Sequence, residues 1–265
     1  MTIRVGIGGW TFEPWRGTFF PPGLPHAREL EYAAGQVTTI EVNGTFYRTQ
    51  TPKTFASWAA QVPDGFVFSL KAPRYATNRR VLAEGGESIT RFVESGLAEL
   101  GDKLGPINWQ FPPTKAFDPD DFGAFLSHLP EAVDGVKLRH AVEVRHASFC
   151  TAEFVALARK HKVAVIFADD DDYPAIADVT ADFVYARLQR AREEEPTGYS
   201  PDLLKGWLER VRIWEAGGVP EDLPSYGDPA PKPKKAARRD VFVYMINGAK
   251  VRAPAAAQAL LALVR

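Results

Sequence analysis

In Thr38-Thr39-Ile40-Glu41-Val42-Asn43-Gly44-Thr45, a short apolar run ends in polar residues spaced by two: Glu41, Asn43 and Thr45. Successive side chains of a strand point to opposite faces, so these three share one face near the strand's C-terminal end. The same arrangement recurs along the chain. Ser69 and Lys71 are in phase within residues 67–71, Asn108 and Gln110 within 107–111, and Glu143 and Arg145 within 140–145. Tyr185, Arg187 and Gln189 are in phase in and just beyond 183–188. Residues 3–8, 164–168 and 241–246 complete a set of eight strand-like runs, the last with Val243, Met245 and Asn247 on the polar phase.

Longer helical patterns separate the strands, at residues 29–34, 52–61, 88–100, 119–129, 152–161, 201–216 and 254–264. Thr51-Pro52 and Ser200-Pro201 each set a capping hydroxyl before a proline suited to the first helical position. Regular alternation of strand and helix predicts βα units around a parallel sheet. Eight such units predict a single (β/α)8 TIM barrel over residues 1–265, with a Pro/Lys-rich excursion at about 217–239. An open doubly wound sheet is the rival, but it seldom needs eight units so evenly spaced.

The composition suits one packed domain: 265 residues, 45% hydrophobic and 25% charged. A formal net charge of -1 supplies no global attraction to nucleic acid or to an anionic membrane. Cys150 is the single cysteine, so neither an intrachain disulfide nor a thiolate metal cluster is expected. With no basic segment leading into an apolar one at the start, and no apolar run near the roughly 20 residues of a membrane span, a cytoplasmic protein is expected.

Barrel interiors are normally filled by Val, Ile and Leu. Charged groups there cost several kcal/mol each, by order of magnitude, unless they are paired. Gathering them at strand C-termini, where barrel enzymes build their sites, points to a catalytic mouth. Glu41, Lys71, Glu143 and Arg145 are the candidate catalytic residues. Glu41 and Glu143 would act as a proton-transfer pair whose acidities are split by burial and by Lys71 and Arg145. Trp10, Asn43, Tyr47, Arg74, Gln110, His146, Arg187 and Asn247 are the candidate substrate-binding residues. The aromatic set Trp10, Trp15, Phe46, Tyr47 and Trp109 would line the mouth or pack its rim. The bland alternative is that the four central charges only neutralise one another.

Cofactor signals are sparse. Gly6-Ile-Gly-Gly lacks the Gly-x-Gly-x-x-Gly spacing, and there is no Gly-x-Ser-x-Gly elbow. None of the five histidines forms a His-x-x-x-His pair. An oxygen-ligand Mg or Mn site using Glu41, Glu143 and Asp169 or Asp170 stays open.

Several blocks resemble the YecE-like family, the domain of unknown function numbered 72. They are Gly6-Ile-Gly-Gly-Trp10, Trp15-Arg-Gly17, Phe19-Phe-Pro21, Glu41-Val-Asn-Gly-Thr-Phe-Tyr-Arg48 and Phe68-Ser-Leu-Lys-Ala-Pro-Arg74. Further blocks are Leu104-Gly-Pro-Ile-Asn-Trp-Gln-Phe-Pro-Pro113, Glu143-Val-Arg-His146, Tyr185-Ala-Arg-Leu188 and Val243-Tyr-Met-Ile-Asn247. The resemblance implies a TIM barrel and no established activity. The chain departs from the family's pattern at Gly44, where Ser is usual, and at Gln189, where His is usual.

Two functions stay open. One is an enzyme performing acid–base chemistry (hydrolysis, isomerisation or elimination) on a polar, anionic small molecule such as a sugar or phosphorylated compound. The other is a non-catalytic binding protein that recognises nucleic acid or a protein partner through the basic stretch 232–239.

Overall fold

In the computed structural model, which describes residues 2–229 and 238–265, the eight expected strands form one parallel sheet. They are β1 (Ile3–Gly8), β2 (Thr39–Val42), β3 (Val67–Lys71), β4 (Leu104–Gln110), β5 (His140–Glu143), β6 in two pieces (Ala164–Val165 and Phe167–Asp169), β7 (Phe183–Leu188) and β8 (Asp240–Met245). Neighbours in sequence are neighbours in the sheet, and β8 returns to pair with β1. The ring closes through β6, whose first piece pairs with β5 and whose second pairs with β7. Between the pieces, the Ile166 amide still donates to the Val142 carbonyl at 2.9 Å. The fold is therefore a TIM barrel.

Around it lie α1 (Glu29–Gln36), α2 (Gly44–Tyr47), α3 (Pro52–Ala60), α4 (Arg74–Thr77), α5 (Gly86–Val93), α6 (Pro119–Ser127), α7 (Ala152–Lys160), α8 (Pro201–Glu215) and α9 (Ala253–Val264). Caps set their starts. Thr51 accepts from the Thr54 amide, Asp118 from those of Asp120 and Asp121, Thr151 from that of Phe154, and Ser200 from that of Leu203. The helix expected at 88–100 is shorter. It stops at Val93, because Gly96 takes φ 109° where the chain presses on Pro52, and a 3-10 segment, Leu97–Lys103, carries on to β4.

The barrel interior is layered. At the N-terminal end, Arg139 bonds to Asp240 at 2.8 Å while its guanidinium lies 4.9 Å from the Phe242 ring centre. Above this lies an aromatic plug, with the Tyr185 and Tyr244 rings 4.8 Å apart. The Tyr244 hydroxyl is anchored by Ser69 at 2.6 Å and Thr39 at 2.8 Å. Gly6 passes so close to Thr39 that any Cβ there would collide with its carbonyl. The charged layer sits on top, at the strand C-termini.

One expected phase is reversed. Register pairs Tyr185 with Phe242 and Arg187 with Tyr244, and partners in register share a face. So Phe242, Tyr244 and Ile246 point inward, while Val243 and Met245 pack into the shell under the helices.

His140, on the shell side of β5, accepts from the Trp109 indole at 3.1 Å and donates Nε2–H to the Pro130 carbonyl at 2.7 Å. Burial holds its pKa down to about 4, so it stays neutral in the fold. The unfolded chain takes up a proton near pH 6.5 and the folded one near 4, so stability is lost as pH falls through that window. Comparing the urea midpoints of wild type and His140→Gln from pH 7 to 4 should show an excess loss in wild type approaching about 3 kcal/mol. Parallel curves would contradict a neutral, buried imidazole.

Candidate functional site

The charged layer is built from the ends of β2, β3, β4, β5 and β7. Arg187, 2% exposed, spans two carboxylates: its Nη1 donates to Glu143 Oε2 at 2.6 Å and its Nη2 to Glu41 Oε1 at 3.1 Å. Glu41 Oε2 also accepts from the Tyr185 hydroxyl at 2.5 Å. Asn108 reaches both acids, at 3.3 and 3.4 Å. The other oxygen of Glu143 accepts from Arg145 Nε at 2.8 Å, and Arg145 Nη2 forms an ion pair with it at 2.7 Å. Arg145 Nη2 donates to Gln110 at 2.9 Å, and the guanidinium stacks 4.3 Å over Tyr173.

These bonds fix ionisation. Burial alone would raise the Glu143 carboxyl, but Arg187, Arg145 and Lys71 overcome it and leave its pKa at about 2. Burial likewise opposes the Arg187 charge, yet Glu143 and Glu41 drive its pKa up. Tyr185 is raised well above its usual range, first by burial and then by Glu41. Glu143 is therefore held as a carboxylate, and both acids are tied to Arg187 and Asn108, Glu41 also to Tyr185 and Glu143 also to Arg145.

Lys71 differs. Only 9% exposed, it makes no salt bridge or side-chain hydrogen bond among the described residues, and its Nζ lies 4.4 Å from the Phe46 ring centre. Burial, then Arg187, with a smaller push from Arg145, lowers its pKa to about 8 against the pull of Glu41 and Glu143. Three cations (Lys71, Arg145, Arg187) thus face two carboxylates, an excess of one positive charge. Two buried polar atoms in the layer, Arg187 Nε and Asn108 Oδ1, also have no hydrogen-bond partner among the described residues.

Of the expected site residues, Glu41, Lys71, Gln110, Glu143, Arg145 and Arg187 come together. Asn43 adjoins them, its amide beside Gly8. The others do not join. Trp10 turns away to the shell, edge-on to Trp58 of α3 at 5.3 Å. Tyr47 is 72% exposed, and Arg74 is exposed at the start of α4. His146 caps the turn Ala147–Phe149 through Ser148. Asn247 donates to Gln189 at 3.0 Å. Trp109 packs on Phe125 and Trp15 bonds to the Lys250 carbonyl, so neither lines the mouth. Asp169 follows inward-facing Ala168 and therefore points outward, to Arg190 at 3.5 Å. The proposed Mg or Mn ligand set is consequently not assembled, and no cluster of three or more such ligands occurs among the described residues.

Tyr185 and Asn108 join the site beyond the expected residues, and their spacing of two from Arg187 and Gln110 is the signal that the sequence carries for them. Tyr173 comes from an irregular loop with no periodicity to announce it. A separate cavity of about 620 Å³ opens between the ends of β6 and β7 and helix α8, lined by Asp169, Gln189, Arg190, Arg192 and Trp207 among others. Residues 232–237 of the basic stretch lie outside the described residues. Arg238 approaches Glu215 at 3.9 Å, and Arg239 donates to the Gly218 carbonyl at 3.1 Å, both at the end of α8. Among the described residues, no helix is long and apolar enough to cross a membrane.

Two solved structures share this architecture. A DUF72 family protein of Thermotoga maritima is 22% identical with a TM-score of 0.72, aligning over 98% of this chain and 97% of its own. A DUF72 family protein of Enterococcus faecalis is 17% identical with a TM-score of 0.70, over 99% and 95%. A search of curated proteins finds no match. The profile described as "Protein of unknown function DUF72" matches residues 4–265. Spanning nearly the whole barrel, that match makes the chain a member of the DUF72 family.

Proposed function

We propose that this barrel is an enzyme performing acid–base chemistry on a small anionic molecule, such as a sugar acid or a phosphorylated compound. Lys71 carries the proton, Arg145 and Gln110 meet the anion, and Glu41–Arg187–Glu143 holds the geometry. The observation that carries this is the unbalanced charge: a lysine at the C-terminal mouth of the barrel, without a partner among the described residues, beside two carboxylates already committed to arginines. A pKa near 8 leaves about a tenth of the amine unprotonated at pH 7, close to the balance an acid–base group needs. Carboxylates already holding several donors serve better as fixed charges than as proton carriers.

Stability should reveal the same division of roles. The cost of charging Lys71 in the fold amounts to about 3 kcal/mol. Because the folded pKa is lowered, the unfolded chain holds the extra proton between about pH 8 and 10.5, and stability rises with pH across that range. Lys71→Met should therefore raise the melting temperature at pH 7. Glu143→Gln should lower it, since it strands Arg187 and Arg145; breaking a buried pair costs about 3–5 kcal/mol. If Lys71→Met destabilises as severely as Glu143→Gln, Lys71 is a structural counterion and the proposal fails.

Ligand binding tests the anionic substrate. A thermal-shift screen of sugar acids, sugar phosphates and dicarboxylates at pH 7 should yield anions that stabilise wild type and not Lys71→Met. Their effect should fade above pH 8, where Lys71 loses the charge that makes the layer positive. Hits that stabilise both proteins equally, or that strengthen above pH 8, would contradict it.

A further inference from the structure

We infer that Lys71 is also a nucleophile, and that the mouth of the barrel captures small 2-oxo acids by condensing their carbonyl with the Lys71 amine. This rests on the acid–base site proposed above and narrows its substrate to a carbonyl acid. Among the side chains of the charged layer, the two carboxylates and Arg187 are tied into one hydrogen-bonded frame. Lys71 alone keeps a primary amine outside it, facing Glu41 on β2, Asn108 on β4, Glu143 and Arg145 on β5, Arg187 on β7, and Phe46.

An amine hemmed in by cations and apolar surface is held partly unprotonated, which is how proteins make a lysine nucleophilic. Here two guanidiniums oppose its charge, and the Phe46 ring covers one side. Arg145 supplies the second recognition element. Its Nε and Nη2 serve Glu143 and Gln110, while Nη1 has no partner among the described residues and is free to meet a carboxylate. A carboxylate beside a carbonyl would bring both groups to Arg145 and Lys71, and would cancel the layer's excess positive charge.

The step balances. The Nζ lone pair forms a bond to the carbonyl carbon while the C=O π pair moves to oxygen, which takes the proton that nitrogen gives up. The carbinolamine then loses that oxygen as water, after one more proton from solvent, leaving a protonated imine. Amine, carbonyl and one proton become iminium and water, with no redox change. Cyanoborohydride then delivers hydride to the imine carbon and fixes it as a secondary amine.

The full-length protein is incubated at pH 8 with pyruvate and cyanoborohydride, and in parallel with acetone, which lacks the carboxylate. Intact mass and peptide mapping locate the adducts. Lys71 should be modified by pyruvate at least roughly tenfold faster than the exposed lysines, given its larger free-amine fraction. Acetone, which meets the same free amine but has no carboxylate for Arg145, should show a clearly smaller preference. Arg145→Leu, confirmed as folded by its melting transition, should reduce the pyruvate rate at Lys71 by a larger factor than the acetone rate, since only pyruvate loses a contact as well as free amine. Labelling of Lys71 no faster than surface lysines, or undiminished single-site trapping in folded Lys71→Met, would overturn the nucleophile. Either result leaves acid–base chemistry standing if anion binding still depends on Lys71 and fades above pH 8. Loss of that dependence too would bring down both.

Discussion

Arg187 lies almost wholly inside the barrel and holds Glu41 with one nitrogen and Glu143 with another, 146 and 44 residues away in the chain. Everything at the mouth depends on this bridge. It lets two acids survive in a dry interior, where unpaired they would take up protons or be stranded at a cost of several kcal/mol. The bridge, with Tyr185 on Glu41, Arg145 on Glu143 and Asn108 reaching both, occupies most of the acceptor capacity of the two carboxylates. The consequence falls on Lys71. It feels the attraction of both acids without bonding to either, and feels Arg187 and Arg145 as well, so its ammonium is poorly compensated.

That imbalance is costly for a structure and useful for a site. A sequence selected for stability alone would fill the space above the Tyr185–Tyr244 plug with Val or Leu, as most barrels do. Keeping a half-stabilised lysine there resembles the trade of stability for activity seen where a site must be poised before its ligand arrives. The plug sets the floor: Tyr244 is pinned to Ser69 and Thr39, and Tyr185 stacks on it while reaching up to Glu41. Aromatic packing below thus holds the orientation of the charges above.

Much of this was legible in the sequence. Eight strands showed through alternation, and Glu41, Lys71, Gln110, Glu143 and Arg187 were found on the inward phase because polar residues stand out against apolar neighbours. Where contrast is missing, phase cannot be read. Val241-Phe-Val-Tyr-Met-Ile246 is apolar on both faces, so only its register with β7 reveals that Tyr244 points inward. Trp10 and Trp109 illustrate a second limit, since an aromatic beside a strand end packs on the helical shell as readily as on a ligand. The pairings were beyond reach, because whether Glu41 bonds to Lys71 or to Arg187 depends on ångström-scale placement. In the structure Glu41 bonds to Arg187 and Lys71 to neither acid, and the division of roles proposed here rests on that choice.

The central claim is that one buried lysine at the mouth of the barrel is held far from its ordinary ionisation, and lysine-selective 13C/15N NMR of the side-chain CεH2–NζH3 groups measures it directly. Titrated from pH 6 to 11, one lysine signal, assigned by its loss in Lys71→Met, should move with a midpoint near pH 8. The exposed lysines should titrate near their usual value of about 10.4. A Lys71 signal that moves with the others would mean that its charge is fully balanced in the fold, and the site proposed here would lose its reactive group.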